Sequence, residues 1–269
     1  MSISESFRPT NAAPSQPPLA WPVVGGRGHV SGNSAGADDD LRALQRIGTK
    51  VRIGRDTAIF SQGEPAAYVY KVVSGVVRLC RHMPGGRRHI AQFSFPGEFF
   101  GIMDLDAHSF TAEAVADVVV IRYEQRELAA LGEERLSVRR RFLTLLSQRL
   151  RDMENHLTVL GRQTAKERVV SFLLSLAERI GIDDDDLVDV PMSRQDMADY
   201  LGLTNETVSR VVTELKRAGL VETPNHRQFI LNDSDALQAL ADGDEEFAPS
   251  PQNGASVGQS KGVLASPVS

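Results

Sequence analysis

Residues 192–222, MSRQDMADYLGLTNETVSRVVTELKRAGLVE, constrain the fold more than any other stretch of the chain. Ser193 followed three residues later by Asp196 is a helix start of the capping-box kind, and Met197, Ala198 and Leu201 give that helix an apolar face. Gly202 stops it, Leu203 fills the turn, and Thr204 can cap a second helix from Asn205 to about Ala218, where Gly219 ends it. Val208, Val211, Val212 and Leu215 recur at the three-to-four spacing of a buried stripe. Glu206, Ser209, Arg210 and Thr213 must therefore share the wet side. Two short helices and a tight turn, with polar groups aimed outward from the second helix, form the pattern of a helix-turn-helix.

That polar set suits base edges in a DNA major groove. An arginine fork fits guanine O6 and N7, and a carboxylate accepts from cytosine N4. Glu206 and Arg210 stand four apart, so the carboxylate can steady the guanidinium while both read one base pair and Ser209 touches the next. The same residues also describe an ordinary solvated face with an i,i+4 ion pair. Thr204, Asn205 and Thr207 at the helix start, Thr213 further along, Arg194 on the first helix and Arg227 in a following hairpin complete the candidate DNA contacts.

TNETVSR at 204–210, with MSRQDMADYLGL before it and a short hairpin after it, resembles the DNA-reading motif of the CRP/FNR family of bacterial regulators. Glu206, Ser209 and Arg210 match the glutamate, serine and arginine of the FNR and FixK branch, whereas the catabolite-activator branch has glycine where Ser209 stands. The resemblance extends over roughly residues 38–241. It implies TTGA half-sites in an inverted repeat with TCAA, and a regulator that binds promoters as a dimer and presents a surface to RNA polymerase. Relatives of the FixK type suggest genes of low-oxygen respiration, denitrification or nitrogen fixation.

A length of 269 residues allows two modest domains with real cores. The net charge of −5 argues against coating of bulk polyanion but not against site-specific binding. Much of the acidity lies in the tails and the 183–186 run, whereas Arg194, Arg210, Lys216, Arg217 and Arg227 gather near the helix-turn-helix. No stretch is long enough to cross a bilayer and the N-terminus lacks an export pattern, so no membrane partner and a cytoplasmic location are expected. A single cysteine, Cys80, excludes a disulfide framework and a four-thiolate iron-sulfur site within one chain.

Residues 1–37 are rich in Pro, Ser, Gly, Asn and Ala without apolar periodicity and read as a disordered tail, as do residues 243–269. From Asp40 a short helix leads into a β domain at 38–132, where β-prone runs such as TAIF, YVYKVV and HIAQFSF alternate with glycine turns. QGEPA, VVSGVVR, GGRRHIAQF and FPGEFFGIMD resemble the family's β-roll sensor domain, a double-layered jelly-roll that hosts many functions. Cyclic-nucleotide binders of the family carry an Arg-Ser pair after the Gly-Glu turn. Here residues 107–114 read AHSFTAEA, without arginine, so a cyclic phosphate would lack its cationic partner and cyclic nucleotide is not expected. The family's haem sensor uses cysteine and histidine near that turn, where Phe99, Phe100 and Ile102 stand here, so ligand-independent action ranks above gating by haem or a small molecule. No cofactor is expected.

One local constellation leaves two readings open. If Gly85 and Gly86 form a two-residue hairpin tip, His82 and His89 fall opposite each other with Cys80 on the same face. These three could hold a transition metal or make the thiol reactive; alternatively they are two solvated histidines beside a half-buried cysteine. The 183–186 aspartates lack the glycine and glutamate of an EF-hand loop.

A short helix to about Leu131 precedes a long helical segment, 133–161, in which Leu143, Leu146, Leu150, Met153, Leu157 and Leu160 step alternately by three and four. Such a seam wants a second copy of itself, and a twofold dimer wants an inverted-repeat site; packing on its own β-roll would involve Leu136, Phe142 and Leu145. Gly161 is the expected hinge into a winged helix-turn-helix domain at 162–242, which Thr164 and Glu167 open with a capping box. The fold class is therefore α+β: β-roll, dimerisation helix, winged helix-turn-helix. A cupin-type metal enzyme would need His-X-His, which occurs nowhere, and glycine-rich phosphate loops and Gly-X-Ser-X-Gly elbows are also missing, so no enzyme is expected.

Overall fold

The computed structural model describes residues 34–102, 106–181 and 187–243. Most of both tails, and the aspartate run at 183–186, lie outside the described residues. The first helix, α1 (Ser34–Ile47), starts ahead of the expected Asp40.

Two four-stranded antiparallel sheets make the β-roll. One has the order β1 (Gly48–Ile53), β8 (Val118–Glu124), β3 (Tyr68–Ser74), β6 (Phe99–Phe100); the other has β2 (Ala58–Phe60), β7 (Thr111–Ala114), β4 (Val77–His82), β5 (Arg88–Ser94). Phe60, Tyr70, Phe100, Val72, Val77 and Val120 fill the space between them. At Gly75, with φ +81°, an added Cβ would lie 2.5 Å from the Asp117 carbonyl, so this corner needs glycine on both conformational and steric grounds.

The β4–β5 hairpin differs from the expected two-residue turn. Met83 N–H donates to Arg87 O at 2.8 Å, leaving a three-residue loop, Pro84-Gly85-Gly86, with both glycines at positive φ. The register moves by one residue: His82 pairs with Arg88 and Arg81 with His89. Because side chains alternate across a strand, this slip sends His89 to the face opposite His82 and Cys80, and the Cys80–His82–His89 set does not form. Nor is the thiol activated. Burial above all, with the Glu113 carboxylate adding to it, pushes Cys80 up to about 11.

After β8 the chain forms α2 (Gln125–Glu134), breaks at Arg135, and continues as α3 (Leu136–Arg162). Gly161 is inside α3 and is not a hinge; the break falls at Gln163 and Thr164, where the Thr164–Glu167 capping box starts α4 (Ala165–Ile180). Of the leucine seam, Leu143, Leu150, Met153 and Leu157 are 58%, 55%, 46% and 67% exposed. Leu136, assigned from sequence to a flanking face, is 58% exposed and lies seven residues before Leu143, so it extends the seam. Phe142 does pack on the β-roll, edge-on to Phe99 at 5.4 Å.

The C-terminal region contains α4, β9 (Leu187–Asp189), α5 (Arg194–Leu201), α6 (Asn205–Arg217), the hairpin β10 (Val221–Asn225) and β11 (Gln228–Leu231), and α7 (Ser234–Asp242). Its core is continuous with side chains of the β-roll: Cys80, Ile90, Phe93 and Phe95 join Phe172, Leu176, Met197 and Leu201 in one buried cluster. Phe93 stands 5.2 Å from the Tyr200 ring and 6.2 Å from Phe172.

Around this apolar junction runs a set of ion pairs that span the two regions. Arg88 bonds Asp196 at 2.5 Å and Asp199 at 2.8 Å, and Arg78 bonds Asp196 at 3.3 Å, Glu113 at 2.8 Å and Asp56 at 3.3 Å. Burial acts against the Arg88 charge, but the Asp199 and Asp196 carboxylates outweigh it and hold the guanidinium above its ordinary value. Arg179 of α4 reaches Glu98 in the same way and lies over the Phe95 ring.

Candidate nucleic-acid interface

The local chemistry of residues 192–222 builds a helix-turn-helix as its spacing implies. Ser193 Oγ accepts from Asp196 N–H, and the Asp196 carboxylate accepts from Ser193 N–H, closing the box that starts α5. Gly202 ends α5 in the left-handed region at φ +65°. Thr204 then caps α6, its hydroxyl accepting from Thr207 N–H at 3.2 Å. Val208, Val211, Val212 and Leu215 are buried, which leaves Asn205, Glu206, Ser209, Arg210 and Thr213 exposed and Thr207 partly so.

Glu206 and Arg210 do not form the expected i,i+4 pair: no ion pair among the described residues joins them. The Glu206 carboxylate instead turns to the open helix start, where its own backbone N–H and then the Thr204 hydroxyl hold it below the usual carboxylate range. Two like-minded interactions thus compete, and the fixed dipoles of the helix end win over a flexible exposed pair. Arg210 is exposed on the first half of α6, and among the described residues it has no ion pair with a carboxylate. Thr213 donates back to Ser209 O at 2.9 Å, so its hydroxyl proton is committed to the helix.

Arg194 differs from the other basic candidates. It is partly buried, its guanidinium lies 4.6 Å from the Phe229 ring centroid, and it meets the Met197 sulfur at 3.5 Å; burial lowers it from the ordinary arginine value. This side chain fastens α5 to β11. Arg227 occupies the turn between β10 and β11, exposed with His226, while its N–H donates to Asn225 Oδ1 at 2.8 Å and its carbonyl accepts from Val190 N–H. The backbone of the wing tip is therefore fixed at both sides and the guanidinium is at its edge.

Sequence reasoning missed the arginine-carboxylate set beneath α5. The signal was Arg78 within Val-Val-Arg-Leu-Cys: a cation inside an apolar strand needs an anionic partner, and Asp196 and Glu113 are those partners.

A cavity of about 280 Å³ separates the β-roll from α3, with Leu79, Phe100, Phe110, Leu145, Arg149 and Asp152 among its walls. A guanidinium is thus present, contributed by α3 and invisible in the 107–114 stretch, but the Glu98 and Asp152 carboxylates share that wall. Burial pushes Asp152 up to about 6, against the pull of Arg149 and Arg179. No described helix is long and apolar enough to cross a membrane.

Residues 167–240 match the model of the Crp-like helix-turn-helix domain and residues 50–135 that of the cyclic nucleotide-binding domain. The chain is 38% identical to the nitrogen fixation regulation protein FixK of Azorhizobium caulinodans over 246 residues, 89% of this chain and 99% of the relative. It is 35% identical over 186 residues to the transcriptional activatory protein AadR of Rhodopseudomonas palustris, 68% of this chain and 77% of that one. The crystal structure of FixK2 from Bradyrhizobium japonicum superposes with a TM-score of 0.69 at 36% identity, covering 72% of this chain and 97% of that one. With a buried stripe behind α6, a polar set in front of it and these relatives along most of its length, the chain belongs to the CRP/FNR family as a DNA-binding transcription regulator of the FixK type.

Proposed function

We propose that this regulator binds a TTGA/TCAA inverted repeat as a homodimer, with Glu206, Ser209 and Arg210 reading base edges and Arg227 holding phosphate. The observation that carries this is the joint exposure of those three side chains on the leading half of α6, over a fully buried valine stripe. Arg210, unpaired with Glu206, is available as a fork for guanine, and Thr204, Asn205 and Thr207 border the backbone of the groove. Arg194 supports the wing through Phe229 rather than reading a base. The exposed heptad positions of α3 bring two copies together, and twofold symmetry supplies the second half-site.

The regulator acts in the cytoplasm without catalytic activity of its own, and activates by presenting a surface to RNA polymerase; the name of the relative AadR supports activation. Its genes are of the low-oxygen respiration, denitrification or nitrogen-fixation kind, and the name of the relative FixK supports the last of these. Fluorescence anisotropy on the palindrome and on a scrambled duplex at moderate salt tests the reading, and equal affinities would overturn it. Arg210→Ala should weaken the specific site by about 1–3 kcal/mol and relax discrimination there, whereas Arg227→Ala should weaken both duplexes alike.

The cavity between β-roll and α3 favours a second reading, in which a small molecule gates the same DNA binding. We do not expect cyclic AMP there: the Arg149 guanidinium on the cavity wall is already answered by the Glu98 and Asp152 carboxylates, so addition of the nucleotide should leave the anisotropy curve unchanged.

A further inference from the structure

In the sheet β2-β7-β4-β5, the pairing of β4 with β7 brings together three groups of different chemistry. Cys80 and His82 stand two residues apart on one face of β4, and Glu113 of β7, in register with Arg78, shares that face one step along. The Cys80 sulfur, a His82 ring nitrogen and a Glu113 carboxylate oxygen all lie within 4.8 Å of one another. We propose that Cys80, His82 and Glu113 form a binding site for a zinc-class divalent transition-metal ion.

The donor set is what such an ion takes: one sulfur, one imidazole nitrogen and one carboxylate oxygen, close enough to converge on a single centre by small side-chain rotations. Calcium and magnesium prefer all-oxygen shells and are not served by a cysteine and a histidine. Cys80 is fully buried and makes the floor, whereas His82 is exposed, so an ion enters from solvent and a water completes the tetrahedron. Both arginine contacts of Glu113 are made through Oε2, 2.8 Å from Arg78 Nε and 4.0 Å from Arg88, and the Cys80 thiol also hydrogen-bonds this carboxylate, a bond the metal would replace.

The surroundings supply the charge. Arg78 and Arg88 face four carboxylates, Asp56, Glu113, Asp196 and Asp199, and Arg55 also pairs with Asp56, so three guanidiniums meet four carboxylates and one negative charge is left over. Binding replaces the thiol proton of Cys80 by the metal: the S–H bond breaks, the S–metal bond forms, and the proton leaves to water, with no change of oxidation state. The site is separate from the DNA-reading residues, and nothing in it depends on their assignment.

Untagged full-length protein, stripped of metal and titrated with cobalt(II), tests this directly. The expected result is one equivalent bound per chain, with a thiolate-to-cobalt charge-transfer band that zinc(II) abolishes by displacement. His82→Ala, at an exposed position that leaves the fold intact, should lower the affinity about tenfold or more, and Glu113→Gln should do likewise. Absence of the charge-transfer band overturns the proposal. So does a band that survives in both variants at unchanged affinity, because cobalt would then be held elsewhere or by sulfur alone.

Discussion

Asp196→Ala should lower the stability of the folded protein by about 2–4 kcal/mol, more than any surface substitution in the helix-turn-helix. Asp196 is 3% exposed and has two roles. One oxygen closes the capping box of α5, worth about 1 kcal/mol. The other accepts from Arg78 and Arg88 across the junction between β-roll and DNA-binding region. Alanine removes the carboxylate the two guanidiniums share, so Arg78 keeps Glu113 and Asp56 and Arg88 keeps Asp199, and the loss is that of the cap together with charge-assisted hydrogen bonds across the junction. Urea unfolding followed by circular dichroism measures the loss. Arg88→Met is the informative control, because Asp196 then keeps Arg78 and its cap, and the loss should be clearly smaller. A change within 1 kcal/mol for Asp196→Ala would show that the junction does not hold the domains together.

The second large effect is expected from the seam of α3. Leu150→Glu with Leu157→Glu places two carboxylates on a face where Leu143, Leu150, Met153 and Leu157 are 46–67% exposed in one chain and Leu146 and Leu160 are partly buried. Burying a leucine of this kind stabilises association by roughly 1.5–3 kcal/mol, and a charge in its place reverses the sign. Analytical ultracentrifugation should find monomer. Affinity for the inverted repeat should fall about a thousandfold or more, toward non-specific binding, because one copy spans only one half-site. The expected change in stability of the single chain is small, since neither side chain enters its own core. A double variant that stays dimeric would place the twofold contact elsewhere.

Much of the proposed interface was legible in advance because it is local. Capping boxes, the glycine at the turn and the valine stripe each involve residues within four positions, so spacing alone set α5, α6 and the outward face. Where flexible ends competed, spacing failed. Glu206 had Arg210 within reach and chose the helix start, and the Phe229 ring that β11 brings to Arg194 could not be read from spacing. The β4–β5 hairpin failed for a different reason. Its glycines fit both a two-residue and a three-residue loop, and one residue of slip exchanges the faces of every side chain beyond it, removing His89 from Cys80, while the pairing of β4 with the distant β7 puts Glu113 on the Cys80 face.

The amino-acid sequence by itself determined the elements of this protein: a β-roll punctuated by glycine, a heptad helix and a capped helix-turn-helix, because periodicity and caps are interactions between near neighbours along the chain. Only the tertiary structure decided how the two folded regions are joined. Arg78 and Asp196 are 118 residues apart, and their meeting depends on the register of one hairpin and the position of a break at Gln163 rather than at Gly161. A buried charge announces in sequence that it needs a partner, but which carboxylate meets it is decided by how α5 packs on the β-roll, where Tyr200 of that helix stands 5.2 Å from Phe93.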